Sequence, residues 1–436
     1  MKLYSTNDKS NVVDLKTAVL NAFPKDKGLY MPTVLPKLDD RFLRNLDQYS
    51  LIDIAFVVSQ NIIGDCISES DLYSIVSKAI NFPAPVHAHN NQMSTLELFH
   101  GPSMAFKDFG ARFMAELMSH FLRNENRETT ILVATSGDTG GAVAAGFHNV
   151  PRINVIILYP SGKVSPLQEK QLTTWGDNIS AVEVDGVFDD CQSLVKEAFL
   201  DEDLLQKYTF SSANSINIAR LIPQSFYYFE AYKQIKHLSE RVVFSVPSGN
   251  FGNLTAGLLA YRMGLPIHQF LAATNRNDTV PNYLRTGQYK SKPSVPTISN
   301  AMDVGAPSNF VRMQHLFGND SSTWNIMQKL IKGYTYNDGQ TRKAMQTILK
   351  DHNYIADPHG AIAYIACKDY MNENKNEVHC TYFETAHPGK FSKVVEETLG
   401  NKIKLPEQLT SFMDKEKTSY TCSHNYKDFK KLLLSI

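Results

Sequence analysis

The chain has 436 residues, a length that at ~150 residues per domain points to two or three domains, each with its own hydrophobic core. Hydrophobic residues make up 43% and charged residues 20%, which excludes a disordered tail or a fibrous protein. Lysine plus arginine and aspartate plus glutamate both number 44, so the broad basic field that nucleic-acid or anionic-membrane binding demands is missing and any anion must be held locally.

The first twenty residues carry Asp8, Asp14 and Lys16 and no continuous apolar run, so no signal peptide is expected. No apolar stretch approaches the ~18 residues that span a bilayer. Cys66, Cys191, Cys367, Cys380 and Cys422 are scattered and odd in number, which reads as reduced thiols in a cytoplasmic protein. Residues 1–92 show mostly helical periodicity (Val12, Leu15, Val19 and Ala22, then Leu51 to Ile63) and predict an α-rich N-terminal segment ending in NFPAPVH. Beyond it, apolar runs alternate with amphipathic stretches, the pattern of an α/β fold. Strands are predicted at 94–99, 130–134, 154–159, 180–184, 241–246, 268–273 and 379–384. Helices are predicted at 110–121, 192–199, 222–238 and 360–372, and the proline-rich stretch 291–300 reads as a loop. Short strands that feed helices through glycine turns imply mostly parallel sheets with sites at the strand C-termini.

Three local features carry chemistry. In LELFHGPSMAFKDFGARF, Lys107 follows an apolar strand and a Gly-Pro turn, with Phe106 and Phe109 on either side. A lysine held there is partly desolvated, which lowers its pKa and frees its amine for Schiff-base chemistry. A surface lysine laying its stem over apolar neighbours gives the same local sequence. The run Ser136-Gly137-Asp138-Thr139-Gly140-Gly141 links the apolar ILVAT to a small-residue helix, and Ser248-Gly249-Asn250-Phe251-Gly252-Asn253 links RVVFSVP to another. Glycines in such turns let backbone N–H groups point inward, and the helix N-terminus adds donors and a positive dipole end suited to phosphate or carboxylate. Ordinary βα turns that use glycine for geometry alone give the same pattern. Neither turn is G-x-G-x-x-G or a Walker A, so dinucleotide and nucleoside triphosphate binding lose support. Two anion turns with a desolvated lysine fit a phosphorylated, carbonyl-bearing cofactor, pyridoxal phosphate. His87-Ala88-His89 has no third ligand at a recognisable spacing, so no metal is predicted.

The motifs HGPSMAFKD, ATSGDTGGAVAAGF, LYPSGKVSPLQEKQLTT, VPSGNFGNLTAG, DPHGAIA and ETAHPGKF stand in the order found in the threonine synthases. From about residue 28 to about 395 the chain resembles the shorter, bacterial and fungal type. The resemblance implies a fold-type II pyridoxal phosphate enzyme, tryptophan synthase β-like, with two α/β domains. It places an N-terminal segment at 1–92, a large cofactor-binding domain at 93–113 and 210–436, and a smaller inserted domain at 114–209. It implies Lys107 as the Schiff-base lysine and α-proton shuttle, and Gly249, Asn250, Phe251, Gly252 and Asn253 as the cradle of the cofactor phosphate. Thr385 is implied as partner of the pyridine nitrogen, and Asp138 as neighbour of the cofactor's 3′-oxygen, where a carboxylate would need a shared proton. Thr135, Ser136 and Thr139 would meet the substrate carboxylate, and Lys163, Asn214, Ser215 and Arg220 the substrate phosphate. His359 and His387 are candidate catalytic groups, but the expected role of each is hydrogen bonding to backbone groups.

The implied activity is that of a carbon–oxygen lyase converting O-phospho-L-homoserine and water into L-threonine and phosphate, the last step of threonine biosynthesis. A monomer or homodimer is expected, with the smaller domain closing to control access of water. Two other readings use the same scaffold: a related pyridoxal phosphate lyase releasing 2-oxobutyrate, and a non-catalytic metabolite-binding protein.

Overall fold

The structure is a computed structural model that describes residues 1–374 and 377–436. In chain order the strands are β1 (Lys2–Ser5), β2 (Val12–Asp14), β3 (Tyr30–Pro32), β4 (Val86–Asn90), β5 (Met93–Glu97), β6 (Thr129–Ala134) and β7 (Ile153–Pro160). There follow β8 (Ile179–Asp185), β9 (Phe210–Ser211), β10 (Val242–Pro247), β11 (Gln269–Thr274), β12 (Ile331–Thr335), β13 (His379–Glu384) and β14 (Tyr420–Ser423). A six-stranded sheet runs β12-β11-β10-β13-β5-β4 and is parallel except for the edge strand β4. A five-stranded, wholly parallel sheet runs β14-β8-β7-β6-β9. Helices cover both sheets, so every residue of β6, β10, β11 and β13 is buried, which is why these strands read as mainly apolar runs without a polar face.

Each of the seven predicted strands has its counterpart, in β5, β6, β7, β8, β10, β11 and β13. The N-terminal segment differs from expectation: besides its helices it holds a small antiparallel sheet, β2-β1-β3. Val12 belongs to β2 rather than to a helix, because Asp14 accepts the Thr17 N–H and starts the helix Leu15–Asn21 after it. Strands of three or four residues carry too little alternation to be seen beside such a helix.

The expected larger-domain span of 210–436 also needs correction at two strands. β9 hydrogen-bonds to β6, and β14 to β8, so both join the smaller sheet. The cause at the C-terminus is burial: the helix Tyr426–Ser435 puts Phe429 and Leu433 into the apolar cluster containing Leu132, Val182 and Leu194. β12 escaped prediction because it is an edge strand with a mostly exposed face. Among the described residues, no helix is long and apolar enough to cross a membrane.

This topology collects strand ends. The chain leaves β5, β6, β10 and β13 at their C-terminal ends and enters segments that wall one cavity of about 840 Å³.

Candidate active site

Lys107 is the first residue of the helix Lys107–Leu122, reached from β5 by a loop in which Met104 takes a left-handed φ of 54°. The Phe106 N–H donates to the Thr385 carbonyl at 2.8 Å, which ties the segment carrying Lys107 to the end of β13. Both side chains line the cavity. Burial pulls the Lys107 ammonium down to about 8, with Asp138 opposing and Lys390 and Arg220 assisting. Its amine is therefore readily freed near neutral pH.

Between β10 and the helix Gly252–Arg262 the chain makes a tight turn with Phe251 at φ 60°. None of the N–H groups of Gly249, Asn250, Phe251, Gly252 and Asn253 donates to an acceptor among the hydrogen bonds of the described residues. A Cβ on Gly249 would lie 2.7 Å from Met302 Cα, so only glycine fits there. The Asn253 side chain is used inside the turn: Oδ1 accepts from Ser248 Oγ (3.0 Å) and Leu254 N (2.9 Å), while Nδ2 donates to the Pro247 carbonyl (2.8 Å). Asn250 reaches sideways, accepting from the Ser308 N–H at 2.6 Å and donating to Ser215 Oγ. All five residues line the cavity, and their N–H groups form a concave nest at a helix start.

The second glycine turn follows β6. Thr135 Oγ1 accepts from Gly137 N (3.0 Å) and Gly140 N (2.9 Å), so this hydroxyl oxygen shapes the turn, while Ser136, Asp138 and Thr139 keep N–H groups without acceptors. Asp138 is buried and its Oδ1 meets Lys390 Nζ at 2.9 Å and Gln168 Nε2 at 3.0 Å. Burial acts to raise this carboxyl, but Lys390 and Lys107 outweigh it and hold the group well below the usual carboxylate range. Asp138 is therefore ionised, with its charge balanced by Lys390.

Asn214, Ser215 and Arg220 also line the cavity. Asn214 Nδ2 donates to the Ala134 carbonyl at 3.0 Å. Arg220 is buried, donates to the Ala213 carbonyl and keeps Nε without a partner; burial lowers it to about 10, which leaves it cationic. Lys163 is not brought to the site. It is exposed on the turn after β7, where Gly162 at φ 64° carries the chain outward, and it is absent from the cavity wall.

Of the two histidines, His387 takes the backbone role, its Nδ1 accepting the Gly389 N–H at 3.0 Å. His359 departs from it: its Nδ1 meets the Asp357 carboxylate at 2.5 Å and its ring lines the cavity.

Sequence reasoning missed Lys390, which is 1% exposed and also donates to the Ser103 carbonyl at 2.8 Å. Its only signal was its place in ETAHPGKF, where a lysine looks like any surface cation. Also missed was the contribution of the N-terminal segment, whose Thr6, Asn7 and Gly28 form part of the wall. Arg312 secures that segment. It is wholly buried and donates to the carbonyls of Tyr30 (3.1 Å), Ser215 (3.1 Å) and Ile216 (2.6 Å).

The nest suits a phosphate, the deprotonable Lys107 suits a carbonyl, and Thr385 offers a neutral hydroxyl at a strand end; together they fit pyridoxal phosphate. Residues 92–381 match the family model described as pyridoxal-phosphate dependent enzyme, which defines the class. Residues 2–80 match the model for the threonine synthase N terminus, and residues 360–433 that for threonine synthase, C-terminal. The chain is 42% identical over 436 residues to the threonine synthase of Escherichia coli (strain K12), covering 100% of both chains. Its fold matches the Escherichia coli threonine synthase crystal structure with a TM-score of 0.93 over 100% of both chains. It also matches the structure of PLP-bound threonine synthase from Brucella melitensis with a TM-score of 0.93 at 31% identity, covering 99% of this chain and 98% of that one. This chain belongs to the threonine synthases.

Proposed function

We propose that this cavity carries out the family reaction, O-phospho-L-homoserine plus water to L-threonine plus phosphate, with Lys107 as Schiff-base lysine and α-proton shuttle. The turn 249–253 would hold the cofactor phosphate through its backbone N–H groups, and the Thr385 hydroxyl would partner the pyridine nitrogen. When bound, pyridoxal phosphate supplies an electron sink for the bonding pair released at the substrate α-carbon.

The chain's own residues do the rest. Lys107 Nζ takes the α-proton and can return it, because burial keeps the amine close to balance between its two protonation states. The free N–H groups of Ser136, Asp138 and Thr139 and the Ser136 and Thr139 hydroxyls receive the substrate carboxylate. Thr135 holds that turn in shape through its two accepted hydrogen bonds. Asn214, Ser215 and Arg220 receive the substrate phosphate, Arg220 as the one full positive charge of the three. Lys163 has no part in this assignment. The Asp138–Lys390 pair adds no net charge, so it leaves Arg220 and the N–H groups free to attract anions.

The observation that carries the reading is the convergence in one cavity of Lys107 and five backbone N–H groups without acceptors. The test is to incubate the enzyme with O-phosphohomoserine and to measure phosphate, threonine and 2-oxobutyrate separately. Equal amounts of phosphate and threonine are expected; phosphate with 2-oxobutyrate and no threonine would replace this reading by the related lyase. Five free thiols, four of them buried, accord with a cytoplasmic setting.

A further inference from the structure

Among the described residues, His359 brings to the cavity wall a buried polar atom with nothing to bond to, and it has no role in the mechanism above. His359 is 2% exposed, lines the cavity, and its Nε2 has no hydrogen-bond partner. Its other ring nitrogen is firmly held. Asp357 caps the helix Pro358–Glu373, its Oδ1 accepting the His359 N–H at 2.6 Å and meeting Nδ1 at 2.5 Å. The Phe391 ring packs on the imidazole with centroids 4.8 Å apart.

Behind Asp357 stands a second carboxyl. Glu384 ends β13, immediately before Thr385, and its Oε2 accepts the Asp357 N–H at 3.1 Å. Both residues are 0% exposed. Asp357 Oδ2 and Glu384 Oε1, one oxygen from each carboxyl, have no hydrogen-bond partner. Burial, followed by the charge of Asp357, pushes Glu384 well above the usual carboxylate range.

We propose that His359 is a second cofactor-contacting residue, whose Nε2 hydrogen-bonds to bound pyridoxal phosphate on the Thr385 side of the cavity, with Asp357 and Glu384 as positioning residues. The Asp357 carboxylate holds Nδ1 and so fixes the ring, which leaves Nε2 as the free ring nitrogen. A histidine needed only for packing gains nothing from a buried nitrogen left bare towards a cavity. The other charged groups that face this unit are Asp303, which faces His359 from the loop after β11, His387, which faces Asp357 from the turn after β13, and Glu97 at the end of β5, which acts on Glu384. The inference rests on pyridoxal phosphate occupying this cavity, and the test separates the two.

Apoprotein of the wild type, His359→Gln and Asp357→Asn is titrated with pyridoxal phosphate, and the visible absorbance of each holoenzyme is followed against pH. Asparagine caps a helix as well as aspartate does, so Asp357→Asn keeps the fold even if the glutamine variant does not. In His359→Gln the cofactor dissociation constant is expected to rise between about tenfold and a hundredfold, the worth of one hydrogen bond to a charged group. In both variants the midpoint of the absorbance titration is expected to move from the wild-type value. An unchanged dissociation constant and midpoint in His359→Gln, or an unchanged midpoint in Asp357→Asn should the former not fold, overturns the proposal. A wild-type protein that binds no pyridoxal phosphate overturns the cofactor reading instead.

Discussion

Lys107 owes its chemistry to a low dielectric and to the balance of charges around it. A lysine in unfolded chain binds its proton up to about 10.4, whereas folded Lys107 holds it only up to about 8. Between those values unfolding takes up a proton, so the unfolded state binds more protons and stability rises with pH. In urea denaturation of the apoprotein, Lys107→Met should therefore be more stable than the wild type below pH 8, with the difference shrinking towards pH 10. A difference that does not vary with pH would show that Lys107 titrates normally. Asp138 runs the other way: its folded pKa is depressed, so its contribution is present above the unfolded value near 4 and fades as pH falls further. Its stabiliser is Lys390, and Lys390→Met would leave a buried carboxylate without its cation. Breaking such a pair costs ~3–5 kcal/mol, read as a large drop in the urea midpoint, and Lys390→Arg should recover part of it. The presence of Lys107 and Asp138 was legible in the sequence through their motifs. The Lys390–Asp138 contact was not, because it joins residues 252 positions apart.

The informative elements are the two strand–turn–helix units. Their existence was legible because everything that makes them is local: an apolar run for the strand, glycines for the turn, small residues for the helix start. What each turn atom does was not legible. Asn253 was expected to serve the cofactor cradle through its backbone N–H, and the sequence did not show that its side chain is held by Ser248, Leu254 and Pro247. Thr135 is consumed in the same way by Gly137 and Gly140. Gly249 is required for a reason invisible in its own turn, since the obstacle to a side chain is the backbone at Met302 and Ala301. Gly249→Ala should push those segments apart and raise the dissociation constant for pyridoxal phosphate by at least about tenfold, measured by absorbance titration, while far-UV circular dichroism stays near that of the wild type.

Across the whole molecule, the N-terminal segment is built into the site rather than appended to it. Arg312 is the fastener: burial lowers its guanidinium to about 9, and it spends its donors on main-chain carbonyls of β3 and of the 215–216 loop and on the Asn309 side chain. Arg312→Met would leave those carbonyls short of donors, at a cost of at least ~2 kcal/mol. The expected outcome is a lower denaturation midpoint together with faster proteolytic cleavage within residues 1–35 of the native protein. Loss of stability with no change in that cleavage would mean that Arg312 serves the 215–216 loop alone. Similarly, β9 and β14 join the smaller sheet from outside its expected span, because the sheet's apolar face needs covering and Phe429 and Leu433 supply the cover.

Sequence alone determined the α/β class, the positions of seven strands, the two glycine turns and the lysine that precedes them. Each of these depends on residues close together in the chain, where periodicity and turn chemistry act directly. Only the tertiary structure decided which of the predicted groups face the cavity, that Lys163 does not, that Lys390 neutralises Asp138, and that His359 stands before the buried carboxyls of Asp357 and Glu384. Those outcomes depend on burial and on contacts between distant segments, which set the cost of every unpaired charge. The equal numbers of positive and negative residues are consistent with anion binding for the same reason: most of the donors are neutral N–H groups, placed by the fold.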